Sequence, residues 1–199
     1  MAAGADVAVV IPTRNRAQFL GCAVASVRAQ LGVHWELAVV DDCSDDETWA
    51  WLSQQEGESV SVARQPQRME RSAARNRGVR MTTAPTILFL DDDDELAPGA
   101  LARLAEALRS CPGAVFAAGS RKEIREGHLG TRKPHPKRRM VRDIYWDMWA
   151  GWGLWTGSIL FSRSAFICRV MALMISCGGV MSLISTRVIL VPQASVAVL

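Results

Sequence analysis

Residues 148–199 contain no aspartate or glutamate, although the chain carries 20 acids, and they hold only three basic residues, Arg163, Arg169 and Arg187. A typical chain has about one acid in eight residues, so the composition changes character in this stretch. Other absences narrow the chemistry. The five cysteines, Cys22, Cys43, Cys111, Cys168 and Cys177, are odd in number and show no C-x-x-C spacing. Neither a zinc ribbon nor a disulfide framework is indicated, and a reducing, cytoplasmic setting is the expectation. No G-x-G-x-x-G follows the first apolar run and no G-x-x-x-x-G-K-[ST] occurs, which argues against a dinucleotide-binding Rossmann domain and excludes a P-loop. The N-terminal MAAGADVAVVIPTRNR lacks a basic region ahead of an apolar stretch, so no signal peptide is expected. The net charge of +3 gives no ground for nucleic acid as a partner.

With 199 residues, 49% of them apolar, one domain with a real core is expected. The first half alternates strand and helix signals. Val7–Pro12, Trp35–Val40, Val60–Ala63, Thr86–Leu90 and Ala114–Ala118 read as buried strands. Residues 16–30 and 69–83 and the segment after Pro98 read as helices. Ser44-Asp-Asp-Glu47 fits a capping box opening a further helix through Trp49, Trp51 and Leu52. Strands alternating with helices imply a doubly wound, mostly parallel α/β sheet. Residues 120–142 are polar and basic and read as a loop, whose part 132–142 leaves open a phosphate-bearing or lipid-linked acceptor or a peripheral membrane contact.

In such sheets ligands bind beyond the carboxyl ends of the strands. Three polar clusters sit there: Pro12-Thr13-Arg14-Asn15, Asp41-Asp42 and Asp91-Asp92-Asp93-Asp94. Together they offer hydrogen-bond groups for a base or ribose, and hard oxygen ligands for Mg²⁺ or Mn²⁺. Such a cation would neutralise a diphosphate leaving group. A phosphohydrolase with an aspartyl nucleophile would want an Asp pair after the first strand, where Pro12-Thr13 stands instead. Within the acidic run, Asp94 and Glu95 read as a solvated helix entry.

VAVVIPTRNR, ELAVVDDCSDDET, ARNRGV and ILFLDDDDELAPGAL occur in this order, and with them the chain resembles the family 2 glycosyltransferases of GT-A fold over residues 7–166. The resemblance implies transfer of a sugar from a nucleotide-diphosphate donor to an acceptor hydroxyl with a divalent metal, with inversion. Pro12, Thr13 and Arg14 would line the donor pocket, Asp42 would pair with the base, and Arg75 would help hold the nucleotide. Asp91 and Asp93 correspond to the D-x-D pair and would be the metal ligands, with Asp91 or Asp92 facing the ribose. The acceptor, whether a saccharide, a lipid-linked molecule or a small molecule, is not written in these motifs. Plainer roles stand beside these: Asp42 as the charge at a helix N-terminus, Arg75 as a surface helix residue. Trp146, Trp149, Trp152 and Trp155 recur every third residue next to Tyr145, as a sugar-stacking surface or as core. His135, between two prolines, receives no role.

The resemblance continues through Gly157–Arg163 and then breaks. The family continues with a Gly-Phe-Asp segment and an acidic pair, one carboxylate of which is taken as the base. Here stands ICRVMALMISCGGVMSLIS, so the catalytic residue is unknown and the expected base is absent after Asp147. The expected organisation is a GT-A domain over 1–166, incomplete at its C-terminus, and an atypical tail over 167–199. A frameshift accounts for the break. Methionine is always ATG, so a Met codon followed by an Ile codon reads GAT, an Asp codon, one base early. With permissible codons, residues 169–184 become R-D-G-F-D-D-L-L-R-G-G-D-E-S-D-L, which contains both missing features. A membrane helix over 170–186 is the rival reading. That stretch is uncharged but holds Gly178-Gly179 and falls short of the roughly 20 apolar residues of a span. A divergent tail is a third reading.

Overall fold

Alternation of side chains along β1 (Val7–Thr13) decides the layering. The computed structural model describes residues 4–111, 114–125, 128–129, 159–165 and 187–198. Val7, Val9 and Ile11 of β1 enter one core, and Ala8 and Val10 enter a second. All five are fully buried. The first core is closed by α1 (Ala17–Arg28) through Leu20, Ala23, Val24 and Val27. It is also closed by α2 (Thr48–Leu52) through Leu52, and by α4 (Ala100–Arg109) through Leu101 and Leu104. The second core lies under Val79 of α3 (Glu70–Arg80). Helices on both faces leave no strand face for water, which is why β1, β2 (Trp35–Asp41) and β4 (Thr86–Phe89) are near-continuous apolar runs.

β3 (Val60–Arg64), β5 (Asp94–Leu96), β6 (Ala114–Arg125), β7 (His128–Leu129), β8 (Ile159–Ser162) and β9 (Arg187–Val198) complete the described sheet. The order is β3-β2-β1-β4-β8-β6-β9-β5, with β7 paired to β6. β3, β2, β1 and β4 are mutually parallel, and β8 runs antiparallel to β4 and β6. The parallel register sets Thr13 opposite Asp41, and the Leu90 N–H donates to the Val10 carbonyl at 3.0 Å. The carboxyl ends of β1, β2 and β4 therefore reach one edge together, and this is the doubly wound arrangement that the strand–helix alternation implies.

Three local readings are corrected. The capping box does not form: α2 starts behind Glu47 without a side-chain cap there, and the Thr48 N–H donates instead to Asp46 at 2.9 Å. The Ser44 hydroxyl is committed elsewhere, to Asp41. Asp94 and Glu95 are not a solvated helix entry but part of β5, with Asp94 4% exposed. Pairing with β9 and the bond from the Leu96 N–H to Ser26 Oγ (3.0 Å) cover that segment. The helix begins later, behind Gly99 at φ 69°. Finally, Ser120–Arg125 continue β6 rather than opening a loop, because β9 pairs with Ser120–Glu123 and β7 with Ile124 and Arg125. The ladder shifts register between Ala118 and Ser120, and this lets Pro192, which has no N–H to donate, sit between the paired stretches of β9. Residues 130–142, the tryptophans at 146–155 with Tyr145, and the 170–186 stretch lie outside the described residues. Among the described residues no helix is long and apolar enough to cross a membrane.

α3 lies unusually close to β1. A Cβ on Gly78 would stand 2.3 Å from Val10 Cγ1. At the far end of α3, the Arg163 guanidinium donates to the Val79 carbonyl (2.9 Å), to Thr82 Oγ1 (2.8 Å) and to the Ala84 carbonyl (2.5 Å). We expect Gly78→Ala to cost about 1–3 kcal/mol by overpacking. Adding Val10→Ala should recover part of that loss in urea denaturation. A second substitution that only deepens the loss would show that the Gly78–Val10 approach is not the cause.

Candidate functional site

At the shared strand edge, two loops are stapled to each other before any ligand is considered. Asn15 adopts φ 53° and exchanges bonds with Asp45: its Nδ2 donates to Asp45 Oδ1 (2.6 Å) and the Asp45 N–H donates to Asn15 Oδ1 (3.0 Å). The Asn15 N–H donates to Ser44 Oγ at 3.0 Å. Ser44 in turn donates its hydroxyl and N–H to Asp41, which is fully buried and also faces Arg64 Nε at 3.2 Å. Asp41 thus shapes the loop, whereas Asp42 is the acid presented to the cavity. Cys43, directly after Asp42, turns the chain at φ 61°.

A cavity opens between these loops, the end of β4 and the entry to α3. Pro12 and Thr13 line it from the end of β1, Arg14 and Arg16 from the loop that follows, Asp42 from just beyond β2 and Asp92 from the acidic turn. Arg68, Glu70 and Arg71 close it on the α3 side. Of the residues singled out in the sequence, Pro12, Thr13, Arg14, Asp42 and Asp92 meet there. Asp91, Asp93 and Arg75 do not line it, although all three stand beside residues that do. Arg16, Arg68, Glu70 and Arg71 were missed. Arg16 stands inside the PTRNR motif, and the other three directly precede ARNRGV, so position relative to those motifs was the available signal.

Each acid of the turn has its own partner. Asp91 Oδ1 accepts from Arg75 at 2.6 Å, and that guanidinium lies 5.8 Å from the Phe89 ring centre. Asp92 accepts the Thr13 hydroxyl at 2.8 Å. Asp93 faces Arg16 at 3.4 Å. Burial pushes the Asp92 carboxyl above its ordinary value, and the Asp93 charge adds to this, against the bond from Thr13. Asp42 accepts two backbone N–H groups, from Met69 (2.7 Å) and Glu70 (2.8 Å), and so caps the N-terminus of α3. The helix-terminal role considered for Asp42 is therefore real, on α3 rather than α2. Each carboxylate oxygen keeps a second lone pair, so capping leaves Asp42 able to accept from a ligand. Glu70 holds φ 71°, a conformation that costs a non-glycine residue on the order of 1 kcal/mol. Among the described residues no group of three acidic, histidine or cysteine side chains converges as a metal cage. The Nε atoms of Arg14 and Arg75 are buried without a hydrogen-bond partner among those residues.

The fold is that of the GT-A transferases. The crystal structure of TarS from S. aureus superposes with a TM-score of 0.73 at 16% identity, covering 97% of this chain and 36% of that one. Its 1-349 portion gives 0.70 at 13% identity, covering 97% of this chain and 60% of that one. The chain belongs to glycosyl transferase family 2, whose description matches residues 8–170. It is 33% identical over 109 residues to TuaG of Bacillus subtilis, named as a teichuronic acid biosynthesis glycosyltransferase, covering 53% of this chain and 43% of the relative. It is 31% identical over 101 residues to the GalNAc(5)-diNAcBac-PP-undecaprenol beta-1,3-glucosyltransferase of Campylobacter jejuni, covering 49% of this chain and 33% of the relative. The chain thus spans less than half the length of either relative.

A pH dependence follows from Asp92. Its raised value means that the folded state binds its proton more tightly than the unfolded chain does. The associated stability is complete below the usual carboxylate value of about 4 and is lost as pH rises above it. Asp92→Asn should therefore unfold at higher denaturant than the parent at pH 7, with the gap closing toward pH 4. A gap independent of pH would remove burial of the charge as the cause.

Proposed function

We propose that this chain is the donor-binding part of a glycosyltransferase that moves a sugar from a nucleotide-diphosphate donor to an acceptor hydroxyl, with inversion and with Mg²⁺ or Mn²⁺. The supporting observation is one cavity lined by Thr13, Asp42 and Asp92 together with Arg14, Arg16, Arg68 and Arg71. Acids able to accept from a base and a ribose stand across from guanidinium groups able to bind phosphate oxygens. In this reading Asp42 accepts an N–H of the base, and Asp92 or Asp91 faces the ribose. Pro12, Thr13 and Arg14 form the floor, and Arg75 helps hold the nucleotide. The donor set suits a hard cation: Asp91 and Asp93 are carboxylates, 29% and 34% exposed, on either side of Asp92, which lines the basic cavity. These two would hold the ion, which supplies charge neutralisation for the departing diphosphate.

The acceptor is a saccharide, a lipid-linked molecule or a small molecule. The polyprenol-linked substrate in the name of the C. jejuni relative supports the lipid-linked choice, and with it a cytoplasmic location at the inner face of a membrane. A panel of UDP-, GDP- and dTDP-sugars with Mn²⁺ tests the reading through release of nucleotide. Asp93→Asn should lower that release by about 100-fold or more, the usual loss for a group that stabilises developing charge. Release unaffected by chelation and by Asp93→Asn would reject the metal.

A second reading is a nucleotide-sugar-binding remnant without turnover, favoured by the absence of any acid over residues 148–199. Binding of Mn²⁺ and nucleotide without hydrolysis or transfer would support it. We also propose that residues 1–166 form the GT-A domain and that residues 169–184 of the tail are read out of frame. The codons for residues 165–190 decide this: they should permit the R-D-G-F-D-D and G-D-E-S-D-L segments one base early. Codons that cannot encode those acids in either alternative frame reject the frameshift.

A further inference from the structure

Arg16 is the cation of the cavity whose present partner is one of the proposed metal ligands. Its Nη1 stands 3.4 Å from Asp93 Oδ2, while the guanidinium lies over the Phe19 ring at 5.7 Å and lines the cavity. Its backbone is fixed separately. The N–H donates to Thr48 Oγ1 at 3.0 Å, and the carbonyl accepts from Phe19 and Leu20, both at 3.0 Å. The side chain can therefore change partner while its root stays in place. At 3.4 Å, with both side chains about one-third exposed, this pair is loose. The Arg75–Asp91 pair beside it is shorter, at 2.6 Å, and more buried. Two guanidinium charges thus stand against the two carboxylates that the proposed function gives to a divalent cation.

We propose that Arg16 is an exchangeable counter-ion: it neutralises Asp93 while the site is empty and turns to the donor's diphosphate when a divalent cation takes Asp93. The inference rests on the reading of Asp93 as a metal ligand. A cation arriving alone must displace Arg16 and then meets its repulsion at short range. A diphosphate arriving alone meets Arg16 and Arg68 already engaged, with Asp93 and Glu70, and carboxylates of its own sign. Arriving together, each removes the other's obstacle: the cation takes Asp93, and the diphosphate oxygens take Arg16. No bond is made or broken in this step, only ion pairs. Metal and nucleotide should consequently bind with positive coupling, and by linkage each should strengthen the other by the same factor.

Binding of Mn²⁺ to the full chain, followed by electron paramagnetic resonance with and without uridine or guanosine diphosphate, tests this without any turnover. In the parent, one of the two diphosphates should tighten Mn²⁺ by about tenfold or more, within the usual range of such couplings. Arg16→Gln should tighten Mn²⁺ alone and shrink the diphosphate effect, with Arg16→Lys in between. Arg109→Gln, on the exposed face of α4 where Arg109 pairs with Glu106, should change neither. If Arg16→Gln weakens diphosphate binding yet leaves Mn²⁺ alone unchanged, Arg16 is a plain phosphate ligand and the exchange is overturned. If it changes neither, the exchange is overturned as well. If Asp93→Asn binds Mn²⁺ with diphosphate as the parent does, or the parent binds none, the metal reading itself fails and the inference falls with it. Circular dichroism melts of each variant separate these outcomes from loss of fold.

Discussion

Like charges in sequence are the constraint on which this site depends. Four consecutive aspartates at the end of a buried strand repel one another, and burial disfavours their ionised form. The structure separates them by direction. Asp91 turns to Arg75, Asp92 to the Thr13 hydroxyl, Asp93 to Arg16, and Asp94 inward in β5. The partners come from two distant parts of the chain, the PTRNR segment at the end of β1 and α3, so the acidic turn can exist only when β1, α3 and β4 are already assembled. The cavity is a by-product of that assembly, because Thr13, Arg16 and Asp92 line it.

α3 is the element that couples these partners. Its first amides close on Asp42, its middle carries Arg75 to Asp91, and Gly78 lets it settle against Val10. Arg163, from beyond β8, holds the Val79 carbonyl near its end. Bonds at both ends thus fix the helix that carries Arg75 to Asp91. The cost is local: Glu70 stands at φ 71° where the turn into the helix favours glycine. Such strain beside a cavity survives because the surrounding bonds over-determine it.

Much of this was legible beforehand. The apolar runs around Val9, Val39 and Leu88 could hardly be anything but buried strands, and placing the ligand edge at Thr13, Asp42 and Asp92 needed only the rule for parallel sheets. The errors have physical causes. Ser44 looked like a cap because its spacing to Glu47 is right, but Asp41 and Asn15 compete for the same hydroxyl and prevail. Asp94 looked solvated because it is charged and precedes a helix, yet β9, distant in sequence, covers it. Arg16 drew no attention because Arg14, two residues earlier in the same PTRNR motif, took the donor-binding role. Only its place opposite Asp93 distinguishes it.

The sequence by itself determined the alternation of strand and helix, the family resemblance, and the set of polar residues delivered to one edge. Those follow from local apolar patterning and ordered motifs, which depend little on distant neighbours. Tertiary structure decided which oxygen meets which nitrogen: that Asp42 caps α3, that Asp91 and Asp93 are each held by an arginine, and that Asp92 alone of the turn lines the cavity. These are pairings across roughly 16 to 79 positions. Their outcome rests on the close approach of α3 to β1 and on the competition among charges, which no window of sequence contains.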